Sequence, residues 1–271
     1  MGMGVEVFDA SDAAAEYRAP TALDHKYSRG VLGFATGSTA YPGAALLGVD
    51  GALATGIGMV RYVGPAEATR PLLVRRPEAV LGFGAVSAWV VGSGMVETDL
   101  EAMDRARRAL GEGKPTVVDA GALGLLPARG LVIATPHAGE MAKVFGVSRH
   151  AVEGAPAEYA LLAASQWNAT VVLKGSTTSI ANQFGDEFSV SLAPPWLAIA
   201  GAGDVLGGVM GSMLATRASE LAARPRDLAR IAAASVVIHS LAAQSASSGG
   251  PFLMDQLVAA IPSVIRTLLS R

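Results

Sequence analysis

The chain has no cysteine, so disulfides, thiolate metal sites and cysteine nucleophiles are excluded together. Histidine is scarce as well. His25, His137, His150 and His239 are the only four, and none pair at metal-ligand spacing, which argues against a zinc centre. Charged residues make up only 16%, and 21 basic against 23 acidic side chains leave a formal net charge of −2. That balance gives no general attraction to nucleic acid or to an anionic membrane, although a local positive site could still take a phosphate-bearing ligand. Long apolar runs are missing too; 86–91 is far too short to span a bilayer. No basic start leads into an apolar core with a small-residue cleavage site, so no secretory signal is expected and a cytoplasmic location is the default. Also absent are the Gly-x-Ser-x-Gly elbow of an α/β-hydrolase, a Walker A loop and the full dinucleotide-binding fingerprint.

What is abundant is apolar surface. Hydrophobic residues are 51% of 271, enough for one large core, and no repeat or composition break marks a linker, so a single domain over 1–271 is expected. The stretch 70–77, with three arginines and two prolines, reads as a surface connection. Short apolar, β-branched runs at 31–36, 59–63, 79–83, 88–91, 115–119, 131–134 and 170–173 alternate with alanine-rich helical stretches. Continuous apolar strands separated by helices predict a mostly parallel sheet covered on both faces. A meander follows at 178–180 and 187–190, and then three helices, near 204–216, 225–243 and 252–269. The alanine-rich part of the second suits either this chain's own core or a partner subunit.

Every polar, glycine-rich loop in this order follows a strand, and ligands of open parallel sheets sit beyond the carboxyl ends of the strands. The most telling loop is Gly201-Ala202-Gly203-Asp204, which opens an apolar helical run. Glycines let another molecule approach the backbone, and the unpaired amides of a first helical turn make an anion site. Asp204 could be the helix cap, or it could take a proton from a hydroxyl while the amides hold a phosphoryl group. His137, in Thr135-Pro136-His137-Ala138-Gly139-Glu140, is either a solvated helix-start residue, with Thr135 as the cap, or a donor to a ligand phosphate or amide. Lys174-Gly175-Ser176-Thr177-Thr178 offers an amine, hydroxyls and flexible backbone to a nucleotide, or is a plain hairpin. Asp119 could hold a metal or its water, but as a strand-end aspartate it reads as the cap of the next helix. His239 reads as a core or rim histidine, and Trp196 as a ligand cover or as packing.

Together these segments resemble the ribokinase-like superfamily and, within it, the ADP/ATP-dependent NAD(P)H-hydrate dehydratases. The resemblance runs through His25-Lys26-Tyr27-Ser28-Arg29-Gly30, Tyr41-Pro42-Gly43-Ala44-Ala45-Leu46, Val118-Asp119-Ala120-Gly121-Ala122-Leu123, Thr135 to Glu140, Val172-Leu173-Lys174-Gly175, and Gly201 to Leu206. The chain departs from the family pattern at Leu192-Ala193-Pro194-Pro195-Trp196-Leu197, where members carry an Asn-Pro-Thr-Gly-Asn-like segment.

The resemblance implies a three-layer α/β/α domain over 1–271 that dehydrates (6S)-NADHX or NADPHX while ADP, or ATP in some members, is consumed. It implies Asp204 with Gly201, Ala202 and Gly203 as the catalytic set. Ala44, Gly94, His137 and Asp204 would contact the hydrated dinucleotide, and Lys174, Gly175, Ser176, Thr177, Thr178 and Gly203 the adenine nucleotide. Magnesium, a homo-oligomer such as a tetramer, and pairing with a separate NAD(P)HX epimerase are further implications, the last because too little chain precedes His25 for a fused epimerase domain. Two other readings share Asp204 and its anion site: a superfamily kinase of a small vitamin-precursor alcohol, and a catalytically silent nucleotide-binding protein. The string Thr135 to Glu140 favours the dehydratase.

Overall fold

A computed structural model describes residues 4–270. The amino-terminal half runs β1 (Glu6–Val7), α1 (Ala10–Glu16), β2 (Val31–Ala35), α2 (Gly43–Thr55), β3 (Met59–Tyr62), α3 (Ala66–Arg75), β4 (Val80–Leu81), β5 (Ala88–Val91), α4 (Leu100–Gly111) and β6 (Thr116–Val118). There follow β7 (Val132–Ala134), α5 (Ala138–Phe145), α6 (Arg149–Gly154), α7 (Pro156–Trp167), β8 (Thr170–Leu173), β9 (Thr178–Ala181) and β10 (Glu187–Val190). Three helices close the chain: α8 (Ala202–Leu221), α9 (Asp227–Ser247) and α10 (Met254–Leu269).

The strands form one sheet in the order β1-β10-β9-β8-β7-β6-β5-β2-β3-β4. Pairing is parallel from β8 to β4, while β8, β9 and β10 form the expected antiparallel meander. Successive side chains on a strand point to opposite faces, and the core obeys that rule. Phe34, Val90, Val117, Ile133 and Val172 join one buried cluster, with residues of α2, α8, α9 and α10. Ala35, Val91, Val118, Ala134 and Val171 join the other, with residues of α4, α5 and α7. Helices on both faces of the sheet make the three-layer α/β/α arrangement.

The chain leaves β2 toward β3 on one side and returns as β5 on the other, so the strand order reverses between β2 and β5. Carboxyl-end loops part at such a point and open a crevice. A backbone bond from the Gly37 N–H to the Ser93 carbonyl (2.7 Å) ties the two loops together at its base.

Three local readings need correction. The stretch 70–77 is not a connection: residues 70–75 continue α3, with Pro71 inside the helix. Buried Leu72 and the grip of Arg75 and Arg76 on Asp50 outweigh proline's cost to helix geometry. Thr135 does not cap α5; His137 does, its Nδ1 accepting from the Glu140 N–H (3.1 Å) while Glu140 returns a bond to the His137 N–H. Asp119 makes no side-chain cap to the 3-10 turn Ala120–Leu125 that follows it. Of the two readings of the alanine-rich helix, core packing holds. α9 is the one described helix long and apolar enough to cross a bilayer, yet 78% of that apolar window is buried inside the fold.

Candidate active site

The amino-terminal turn of α8 is built by two glycines and a close neighbour. Gly201 lies at φ 93° immediately before the helix, and a Cβ there would sit 2.6 Å from Leu47 Cδ1. No side chain caps this turn, so its first amides are left for a ligand. Ala202 is buried, and Gly203 and Asp204 are mostly buried. The turn is seated on α2 by backbone-to-backbone packing: Cβ atoms on Gly51 and Gly208 would lie 2.6 Å from the Val205 carbonyl oxygen and 2.0 Å from that of Gly48. Ala44, in the first turn of α2, meets Gly94, where a Cβ would lie 2.5 Å from that of Ala44. The sheet and these two helices thus bring Ala44 and Gly94 together beside the Asp204 turn.

Beneath the turn, four neighbouring strand ends converge. Asp119 follows β6 and is buried; its Oδ1 accepts from Thr135 Oγ1 (2.8 Å) and Lys174 Nζ (2.9 Å), and its Oδ2 from Ser93 Oγ (3.1 Å). These donors come from the ends of β5, β7 and β8, strands on both sides of β6. Lys174 must cross β7, about 10 Å at the usual strand spacing, which a long lysine stem can do. Burial pushes the Asp119 carboxyl up, but the Lys174 ammonium and the three hydrogen bonds outweigh it and hold it below the ordinary carboxylate range. Burial likewise works against the Lys174 charge, and Asp119, Glu140 and Asp204 outweigh it and hold its pKa above the usual lysine value. Both groups are therefore charged at neutral pH.

Asp204 is different. Burial, reinforced by the like charge of Asp119 and only partly offset by Lys174, pushes its carboxyl up from 3.8 to about 6. Neither a hydrogen bond nor an ion pair ties that carboxylate to a described residue. Such a group can accept a proton near neutrality. The link to Lys174 is short, since a Cβ on Gly203 would lie 3.6 Å from Nζ. His239, on α9, is buried against the Ala202 carbonyl. Burial pushes its imidazole down to about 4, Lys174 adds to that effect, and Nε2 has no partner. Of its two readings, core is the one realised.

Of the nucleotide set, Lys174, Gly175, Ser176 and Thr177 line a cleft of about 650 Å³ together with His137 and Arg149. His137 and Lys174 are bridged in parallel register, with the Lys174 N–H on the Pro136 carbonyl (2.9 Å). Thr178 opens β9 and is buried, apart from its exposed neighbours Gly175 to Thr177. A second cleft of about 570 Å³ runs along Met95, Gly121, Glu140 and Lys143. Ala44, Gly94 and the Asp204 turn line neither cleft; Lys174 joins the first cleft to that turn. Trp196 is 47% exposed in a 3-10 turn (Pro195–Leu197) just before Gly201. Sequence reasoning missed the roles of Ser93, Asp119 and Thr135. The available signal was that each follows a parallel strand by one or two residues, as Lys174 does.

The mostly parallel sheet with helices on both faces has a ribokinase-like fold. A ribokinase-like superfamily protein of Enterococcus faecalis superposes with a TM-score of 0.85 at 19% identity, over 100% of this chain and 99% of that one. The chain belongs to the NAD(P)H-hydrate dehydratase family, whose model matches residues 32–262. An ADP/ATP-dependent NAD(P)H-hydrate dehydratase of Bacillus subtilis, co-crystallized with ATP/Mg2+, superposes with a TM-score of 0.87 at 27% identity, covering 98% of this chain and 99% of that one. In sequence the chain is 38% identical to the bifunctional NAD(P)H-hydrate repair enzyme Nnr of Mycobacterium tuberculosis over 77% of its length and 46% of that protein's. It is 33% identical to the ADP-dependent (S)-NAD(P)H-hydrate dehydratase of Xanthomonas campestris over 73% of its length and 76% of that protein's. The chain spans about half the length of the bifunctional relatives it matches.

Proposed function

We propose that this chain dehydrates (6S)-NADHX or NADPHX to the reduced dinucleotide, with ADP converted to AMP and phosphate, as a single ribokinase-like domain. The unpartnered Asp204 carboxylate, raised into the range of a neutral-pH base beside free helix amides, is the observation that carries the reading. Family membership and the named relatives support the substrate class.

The hydrate's ring hydroxyl is a poor leaving group. Asp204 accepts its proton as the oxygen attacks the terminal phosphorus of ADP; the phosphoanhydride bond breaks and AMP leaves. The amides of the Gly201–Gly203 turn, with Lys174 beside them, stabilise the charge on the phosphoryl in flight. Phosphate then departs, driven by the ring nitrogen's lone pair, and the adjacent ring carbon releases a proton to form the double bond. The cleft lined by Lys174 to Thr177 takes the nucleotide; His137, on its wall, reaches the hydrated dinucleotide, whose ring Ala44 and Gly94 flank. Among the described residues no group of three or more His, Asp or Glu could cage a metal, and Asp119 already accepts from three donors. Magnesium fits this site as a companion of the nucleotide's phosphates, where it would neutralise their charge. We further place the chain among oligomeric repair enzymes that work alongside an epimerase for the other hydrate form.

The test is to offer NADHX with ADP or ATP and follow the return of reduced-nicotinamide absorbance together with free phosphate. Stoichiometric return of both supports the reading. A stable phosphate ester, with no reduced nicotinamide, replaces it with a kinase.

A further inference from the structure

Asp119 has no part in the steps above, yet it is the most heavily bonded side chain in the crevice. Its carboxylate sits where four strand ends meet and receives an ammonium and two hydroxyls from three of them. The chain adopts a left-handed conformation immediately after it, at Ala120 (φ 45°), which strains a residue with a side chain. The strain falls where the chain turns from β6 into the 3-10 turn Ala120–Leu125.

A buried ammonium must find a carboxylate. Three acids bear on Lys174: Asp119, Glu140 and Asp204. Glu140 is committed to the His137 N–H through Oε2. Without Asp119, the acid left beside Lys174 with no partner is Asp204. A direct Lys174–Asp204 pair would occupy the base and take the cation away from the phosphoryl position. With Asp119 in place, Nζ is anchored 2.9 Å from Oδ1, near Gly203 and clear of Asp204.

We propose that Asp119 is a positioning residue: it holds Lys174 at the floor of the crevice, which leaves the Asp204 carboxylate unpaired and the ammonium directed at the transferred phosphoryl group. This deepens the dehydratase reading and rests on it. The opposite arrangement, in which Lys174 serves mainly the distal nucleotide, leaves Asp119 acting on Asp204 through its like charge alone.

The charged and titratable groups facing Asp204 are Asp119 from the β6 end and Lys174 from the β8 end, with Glu140 from α5 acting through Lys174. His239 from α9 is neutral over the working range. The test is the titration of Asp204 in the intact protein, followed by carboxyl carbon NMR and assigned by the resonance missing from Asp204→Asn. Asp119→Asn should lower the Asp204 midpoint from about 6 by one pH unit or more, as a like charge leaves and Lys174 swings over. Adding Lys174→Met should bring the midpoint back up, since no cation remains to pair with it. The double variant removes both charges together, so it also serves if Asp119→Asn does not fold; its midpoint should then lie below that of Lys174→Met alone. In the assay, Asp119→Asn should cut kcat at least tenfold and move the acid limb to lower pH, with partial rescue by Asp119→Glu. A midpoint near 6 in every variant overturns the positioning role and leaves the dehydratase reading standing. Absence of hydrate-dependent phosphate release in the unmodified protein overturns the dehydratase reading, while the titration still reports on Asp119.

Discussion

Asp50 and Asp204 sit on two helices, α2 and α8, that pack glycine against backbone, and each is an acid taken largely out of water. Asp50, with a side chain 1% exposed, is met by Arg75 Nε at 2.7 Å and Arg76 Nε at 2.6 Å, and Arg75 reaches on to Asp255. Those pairs fasten α3 and α10 to α2. Asp204 receives no donor, and its neighbour Asp119 repels it. The same residue type is thus structural where its charge is matched, and the proposed base where it is not. In the proposed reaction, the α8 amides and Lys174 beside Asp204 serve the phosphoryl group, which leaves its charge unmatched.

Three variants probe that contrast through four effects, in decreasing order of expected size. Asp204→Asn should lower kcat by about 10³-fold, within the range for loss of a general base, with nucleotide affinity kept; a coupled absorbance assay and a binding titration check both. The same variant should be more stable than the parent at pH 8. The Asp204 carboxyl has a higher pKa in the fold than in the unfolded chain, so its stability contribution is complete below pH 3.8 and is lost as pH rises through about 6. Asparagine mimics the neutral acid, and the gain should reach up to about 3 kcal/mol at pH 8 and vanish near pH 4. Thermal melts at the two pH values decide it.

Asp50→Asn should act in the opposite sense, costing about 2 kcal/mol by orphaning two partly exposed guanidiniums, with kcat unchanged at a temperature where the variant is folded. Chemical denaturation and the same assay separate the two effects. The smallest change expected is at His239. Its pKa in the fold is depressed to about 4, so its contribution to stability is present above 6.5 and is lost as pH falls toward 4. His239→Asn should flatten that acid limb by about 1 kcal/mol at pH 6, read from denaturant midpoints across pH.

Much of this was legible in the chain. The alternation of apolar strands with helices gave the layered sheet, because burial on both faces demands near-continuous hydrophobic strands. The turn before Asp204 announced itself, since its glycines, aspartate and helix are adjacent in sequence. The Asp119 cluster did not, because its donors lie 16, 26 and 55 residues away and meet only once the strand order is known. A lone strand-end aspartate looks like a cap, and only Thr135, Ser93 and Lys174 in place show otherwise. The stretch 70–77 misled for a related reason: its helix is held by Asp50, some 25 residues away, against the local signal of two prolines. At the start of α5, the histidine in Thr135-Pro136-His137 took the capping role, which freed Thr135 to turn inward to Asp119.

The role of Asp204 as base is tested by the pH dependence of kcat/KM for hydrate-driven phosphate release, measured for the parent and for Asp204→Asn. The parent rate should fall below about pH 6, where Asp204 protonates, and the variant should be slow at every pH. A parent profile level through pH 5 to 7, or a variant with near-normal rate, would contradict that role.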